Sequence, residues 1–176
     1  MRRVLLAAGV LLSASAPVAA EEAARPSAEL FAGYSYARSE GRGLHGGDAS
    51  LSVPITRWVA LEADVGANYG REDDIHHRRL TLMGGPRFAY RTDRFVLFTH
   101  YLAGVARSSS SLKVLGVDIT ESVTGFAMAF GGGVDVAAWQ TWAVRAQGDY
   151  VLVRAQGTTN KDPRVSVGVV FRAGIH

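Results

Sequence analysis

Apolar and polar residues alternate along most of this chain, in segments of about ten residues separated by polar stretches. In the clearest segment, positions 59–69, Val59, Leu61 and Val65 fall on one side and Glu62 and Asp64 on the other. Successive side chains of a β-strand point to opposite faces, so an alternation of period two predicts strands.

Eight such strands are predicted along the chain. The patterns are strong at residues 59–69, 79–90, 142–152 and 164–172, and weaker at residues 28–38, 44–54, 94–107 and 122–135. An even number of consecutive antiparallel strands can close on itself and leave no unpaired edge. The predicted fold class is therefore all-β, an eight-stranded antiparallel up-and-down barrel over residues 28–174.

The predicted connections alternate in length. Short links fall at residues 55–56, 92–93 and 138–141, and longer polar links at residues 39–43, 70–76, 108–121 and 156–163. Outer-membrane barrels have short turns at the periplasmic end and longer loops outside, so both chain ends are expected at the periplasmic end. Aromatic residues near the short links predict a girdle there. They are Trp58, Tyr90, Phe95, Trp139, Trp142 and Phe171.

Alternation alone does not decide which face points outward. In a soluble lipocalin-like binder the apolar face would line the interior. Here the apolar face is free of charge for about five or six positions per strand, close to the height of a membrane band. The other face mixes both charge signs with small residues, which suits a narrow bore filled by side chains. Gly131, Gly132 and Gly133 also suit a crowded interior. We therefore expect a transmembrane barrel with its charges inside.

Charges inside a barrel must be paired, because an unpaired buried charge is strongly destabilising. The candidate lumen network is Glu62, Asp64, Arg87, Arg145 and Asp149. We expect Glu62 and Asp64 to pair across the lumen with Arg87, Arg145 or both. The network could be a gate or proton path, but we favour a structural plug that fills the barrel and fixes its register.

The N-terminus has the composition of a secretory signal peptide. Arg2 and Arg3 precede an apolar run at positions 4–12, and small residues lead to Ala20 before charge resumes at Glu21. The run is shorter than the roughly 20 residues that a membrane-spanning helix needs. We predict cleavage after Ala20, with residues 21–27 as a short periplasmic segment before the barrel.

Composition narrows the function classes. The chain has no cysteine, which excludes disulfides, thiolate catalysis and cysteine-bound metal. Without Arg2 and Arg3, the 19 basic residues become 17 against 16 acidic ones, so no large basic excess remains to bind nucleic acid. The longest uncharged stretch beyond the leader, residues 122–134, is too short for a membrane helix.

Two places could support chemistry. Asp74 and His76 could hold a cation weakly, but His76 and His77 would point to opposite sides of an extended segment. A lipid hydrolase would need a serine beside His100, and the next position on that face is Leu102. We therefore expect no enzyme, cofactor or metal, with His100 as an interior polar residue.

Four motifs stand on predicted strands: Phe31-x-Gly33-Tyr34-Ser35-Tyr36, Gly85-Pro86-Arg87-Phe88-x-Tyr90-Arg91, Gly131-Gly132-Gly133-x-Asp135 and Asp149-Tyr150. Through them, residues 28–173 resemble the OmpA-like outer-membrane β-barrel domains of small Gram-negative surface proteins. The last strand is similar to the signal read by the barrel-assembly machinery, with Ser166, Gly168 and Phe171 at its polar, glycine and aromatic places.

The resemblance implies insertion in the outer membrane by that machinery, with membrane lipid and lipopolysaccharide as neighbours. It implies no shared activity. We expect a monomer that acts structurally, or by surface interaction through its extracellular loops. The alternatives are a narrow channel, a lipid A-modifying enzyme and a soluble lipocalin-like binder.

Overall fold

A computed structural model describes residues 26–39, 41–72, 75–114, 117–155 and 157–174, without the side chains of residues 71–76 and 111–121. The predicted signal peptide, residues 1–20, and residues 21–25 of the predicted periplasmic segment lie outside this range. Among the described residues, no helix is long and apolar enough to cross a membrane.

The described residues form eight strands, which are β1 (Ala28–Ser39), β2 (Arg42–Pro54), β3 (Val59–Glu72), β4 (Ile75–Arg91), β5 (Phe95–Val114), β6 (Val117–Ala137), β7 (Trp142–Ala155) and β8 (Thr158–Ala173). Each strand pairs antiparallel with the next, and β1 pairs with β8, so the sheet is a closed barrel. The predicted fold class is confirmed.

The connections differ between the two ends. At the predicted periplasmic end the links are short, as expected, and Thr92 and Ala138 begin two of them. At the other end the long loops predicted at residues 39–43, 70–76, 108–121 and 156–163 are wrong, because most of these residues continue the strands. Ser108, for example, pairs with Arg79, and the β5–β6 ladder runs out to Val114 opposite Val117. Beyond the membrane both faces of a strand meet water, so both can be polar and the strand still continues. Its backbone N–H and C=O groups remain paired in the ladder.

The sidedness agrees with the sequence prediction. The outward side chains of Leu61 and Leu82 are 58% and 57% exposed, whereas Glu62 and Asp64 are 1% and 0% exposed. The apolar belt thus faces outward and the charges face the lumen, the reverse of a lipocalin-like binder. All six residues of the predicted aromatic girdle are exposed, and the Trp58 and Tyr90 rings stack with their centroids 5.6 Å apart.

Glycine permits a close approach where the barrel closes. Gly33 of β1 lies directly opposite Gly168 of β8. A Cβ atom on Gly33 would lie only 2.8 Å from the Gly168 Cα and 2.8 Å from the Phe31 ring. The missing side chain therefore leaves room for Phe31 to fill the lumen.

Candidate functional site: the charged lumen

The lumen near the predicted periplasmic end holds a cluster around Arg87 of β4. Its guanidinium donates to Glu29 Oε2 at 2.8 Å and to Asp135 Oδ2 at 3.2 Å. Its Nε also lies 3.6 Å from Glu62 Oε2, an ion pair longer than a hydrogen bond. Strands β1, β3 and β6 thus each present a carboxylate to one arginine on β4.

Arg145 of β7 completes this cluster. It donates from Nε to Asp135 Oδ1 at 2.6 Å and from Nη2 to Asp135 Oδ2 at 2.9 Å. The Phe98 ring lies under both guanidinium groups, 4.1 Å from Arg87 and 4.5 Å from Arg145, and Phe31 lies 5.0 Å from Arg145. Aromatic faces attract these cations and exclude water from the ion pairs.

His100 of β5 links this cluster to the next one toward the outer end. It is fully buried, in the interior as expected, and both ring nitrogens face carboxylates. Nδ1 lies 3.2 Å from Glu62 Oε1, and Nε2 lies 2.8 Å from Asp149 Oδ1. Ionised carboxylates only accept hydrogen bonds, so with both carboxylates ionised each ring nitrogen donates and the imidazole carries a positive charge.

Arg164 of β8 is the centre of the second cluster. It donates to Asp149 Oδ2 from Nε at 2.9 Å and from Nη2 at 2.7 Å, and Nη1 donates to Asp64 Oδ1 at 3.2 Å and to Asp48 Oδ1 at 3.4 Å. Ser166 also donates to Asp48, at 2.9 Å. One guanidinium therefore holds carboxylates from β2, β3 and β7.

Arg79 of β4 forms a third contact nearer the outer end. It pairs with Asp162 of β8 and donates to Ser39 at 2.9 Å and to Ser108 at 3.3 Å. Two of these contacts cross the barrel, from β4 to β8 and to β1, and the third joins β4 to its neighbour β5. The lumen is therefore crossed by polar contacts at three levels.

All five residues of the predicted network face the lumen and are almost completely buried. Glu62 lies against Arg87 as expected. The pairing expected for Asp64 is wrong, because its arginine is Arg164 and neither Arg87 nor Arg145. Asp149 also lies against Arg164. The predicted residues therefore fall into two clusters that His100 connects.

Sequence reasoning missed four members of these clusters: Glu29, Asp48, Asp135 and Arg164. Their positions carried a usable signal, because each stands at an inward position of its strand. Asp135 had a stronger one, since it lies directly opposite Arg145 across the β6–β7 ladder.

The lumen holds nearly as many positive as negative groups. The ion pairs of the described residues join seven carboxylates to six guanidinium groups, and His100 contacts two of those carboxylates. The carboxylates are Glu29, Asp48, Glu62, Asp64, Asp135, Asp149 and Asp162, and the guanidinium groups are Arg79, Arg87, Arg91, Arg145, Arg164 and Arg172. Pairing of this kind offsets part of the desolvation cost of charges in a barrel surrounded by lipid.

Sequence comparison assigns the chain to a family. The family model described as "Outer membrane protein beta-barrel domain" matches residues 4–172, nearly the whole chain. No curated protein matches the chain in sequence.

Solved structures share the fold at low sequence identity. Ail of Yersinia pestis has a TM-score of 0.61 and 14% identity, over 84% of this chain and 99% of its own. Neisserial surface protein A, NspA, has a TM-score of 0.63 and 13% identity, over 82% and 95%. The N-terminal β-barrel domain of Pseudomonas aeruginosa OprF has a TM-score of 0.52 and 16% identity, over 83% and 98%. These identities show a common fold alone. Together with the family match, the closed barrel and its outward apolar belt lead to one conclusion: the chain belongs to the outer membrane protein beta-barrel domain family and lies in the outer membrane.

Proposed function

We propose that this protein is a non-enzymatic surface barrel whose lumen is plugged and whose outer hairpins make the functional contacts. The observation that carries the proposal is the length of β5 and β6, which contain 20 and 21 residues. A tilted strand needs about 9–11 residues to cross the membrane. The rest of this hairpin projects beyond the lipid on the outer side.

Burial of the lumen side chains supports the plug. Arg87, Arg145, His100 and Phe31 are each at most 1% exposed, and Leu102 is 2% exposed. Their contacts connect strands across the bore, so a pore would require several ion pairs to separate together. The charge network is thus assigned a structural role, which is to fill the barrel and hold its strands in register.

Basic residues around the outer half of the barrel support lipopolysaccharide as a neighbour. Arg38, Arg78, Arg107, Arg154 and Lys161 are all exposed there. The Arg78 guanidinium lies 5.4 Å from the centre of the Tyr69 ring. Guanidinium groups bind phosphate oxygens well, and lipopolysaccharide carries phosphate at this depth. The protein is proposed to act there as a monomer.

Shortening the β5–β6 hairpin tests the surface role. Residues 110–121 would be replaced by Asn-Gly, which makes a two-residue turn next to the Ser109–Ser122 pair. Cells expressing this variant should attach to a heparin-coated surface less than cells expressing the original protein. Heparin is the probe because an Ail structure contains the heparin analogue sucrose octasulfate.

The control for this experiment is Asp93→Asn, a change in an exposed turn at the periplasmic end. Both variants should show a heat-dependent shift in gel mobility, which reports a closed barrel. Equal attachment of all three cell types, at equal surface amounts, would overturn the surface role.

Planar-bilayer recording tests the plug against a narrow channel. The original protein should give no conductance above background, since the bore of eight strands is narrow and filled. Steady single-channel currents would overturn the plug and support a narrow channel.

Lipid A mass spectra test the non-enzymatic part of the proposal. Acylation should be the same with and without expression, because His100 faces Glu62 and Asp149 in the lumen and is fully buried. A change in the number of acyl chains on lipid A that depends on expression would show that the protein is an enzyme.

Processing and insertion complete the proposal. Residues 1–20 are removed, and the barrel-assembly machinery reads the last strand through Gly168 and Phe171. The mass of the protein from outer membranes should match a chain that begins at Glu21. A mass that includes residues 1–20 would show that the leader is retained.

A further inference from the structure

A cavity of about 720 Å³ opens at the periplasmic end of the barrel. Its wall includes Pro26 and Gly174 from the two chain ends, Trp139 from the β6–β7 turn, and the side chains of Glu29, Arg91 and Arg172. A volume of this size is typical of sites for small molecules. The cavity lies outside the ion pairs that plug the lumen.

The wall of this cavity holds two guanidinium groups, Arg91 and Arg172, and two carboxylates, Glu29 and Asp93. The carboxylate of Glu29 has four guanidinium groups around it: Arg87 at 2.8 Å, Arg91 at 3.2 Å, and Arg145 and Arg172 at 4.0 Å. Asp135 and Glu62 neutralise part of this charge from the lumen side. Asp93 is the other acidic residue of the wall, and it is exposed on a turn.

Arg91 and Arg172 are not saturated by Glu29. Each guanidinium has five N–H donors. In the described structure, Arg91 Nε and Arg172 Nη2 have no hydrogen-bond partner. Both side chains are partly exposed, at 12% and 13%, and both line the cavity. These two nitrogen atoms are themselves buried, so an acceptor group in the cavity would bind the exposed part of each guanidinium.

We propose that this cavity binds a small periplasmic molecule through an oxyanion, a phosphate or a carboxylate, held between Arg91 and Arg172. Two guanidinium groups on adjacent sides of one anion give charge-assisted hydrogen bonds, which are the strong class. The remaining volume accommodates the rest of the molecule against the indole ring of Trp139.

Titration calorimetry with inorganic phosphate and with acetate tests the site. The full mature protein would be used in a non-ionic maltoside detergent, which brings no phosphate, at constant ionic strength set by NaCl. We expect saturable binding of one anion per barrel for at least one probe. The tighter of the two identifies the anion class.

Variants locate the binding. Arg91→Gln and Arg172→Gln should each raise the Kd about tenfold or more, the effect of losing a charged hydrogen-bond donor. The matched control is Arg94→Gln, which removes an exposed charge at the same end but outside the cavity wall. It should change the Kd less than about twofold, because salt screens exposed charges.

A measurement on the original protein covers the case in which a variant does not fold. The Nε–H resonance of Arg91 in the NMR spectrum should shift with phosphate or acetate along the same curve as the calorimetry. Absence of saturable binding by both probes would overturn the proposal. An equal loss of affinity in Arg94→Gln would overturn it as well, since general charge would then explain the binding.

Discussion

Arg145 and Asp135 form a two-pronged ion pair inside the barrel. The guanidinium donates from two nitrogens to the two carboxylate oxygens, at 2.6 and 2.9 Å. The residues are direct partners in the β6–β7 ladder. Such fork geometry adds specificity to strength, so a shift of this hairpin by two residues would break the pair.

Removal of one partner of this pair should be costly. Arg145→Ala should lower the free energy of unfolding by about 3–5 kcal/mol, because it leaves Asp135 buried with less neutralisation. Urea titration of the protein in lipid vesicles would measure the change. Arg57→Ala, at an exposed position of the same end, should cost less than about 1 kcal/mol. A similar loss in both variants would contradict the pairing argument.

Replacement of Arg164 should destabilise the barrel more than replacement of any other residue of the second cluster. It contacts Asp48, Asp64 and Asp149, so Arg164→Ala leaves three carboxylates close together without their shared cation. We expect a loss of about 3–5 kcal/mol, as for other broken buried pairs. Adding Asp64→Asn to this variant should restore part of the stability, because it removes one of the repelling charges. A double variant that is less stable than Arg164→Ala would refute this account.

His100 should carry protons on both ring nitrogens at neutral pH. Each nitrogen lies within hydrogen-bond distance of a carboxylate oxygen, which can only accept when ionised. Nitrogen-15 NMR of the ring would resolve the two sites. The resonance of an unprotonated ring nitrogen would mean that Glu62 or Asp149 holds a proton instead.

A charged residue on the lipid face should destabilise the barrel more near the middle of the membrane than at its edge. Val65 is 49% exposed and lies between Trp58 and Tyr69, near the middle of β3. Val65→Arg should cost about 2–4 kcal/mol, and Ile55→Arg in the periplasmic turn only about 0–1 kcal/mol. Unfolding of the two variants in vesicles gives the comparison. Equal costs would mean that the apolar belt does not face lipid.

The sequence predicts the faces of the barrel better than its ends or its ion pairs. A period of two placed Glu62 and Asp64 on one face, and the charge-free apolar face opposite assigned them to the interior without knowledge of any partner. Polar residues such as Ser108 were predicted to form a loop because no apolar face marks a strand in water. The partner of Asp64 was predicted wrongly, because contacts across the bore depend on strand stagger and tilt. The pairing of Asp135 with Arg145 could have been predicted, since a short turn brings the two positions opposite each other.

The position of Glu29 also connects the closure of the barrel to its ion pairs. Glu29 lies on β1, and its arginine neighbours lie on β4, β7 and β8. The ladder between β1 and β8 joins residues as distant in the chain as Ala28 and Ala173, and contacts of such long range form slowly. A half-assembled sheet would leave these guanidinium groups without Glu29 and next to hydrocarbon. We therefore expect partly open forms to be disfavoured and the folding transition to be cooperative.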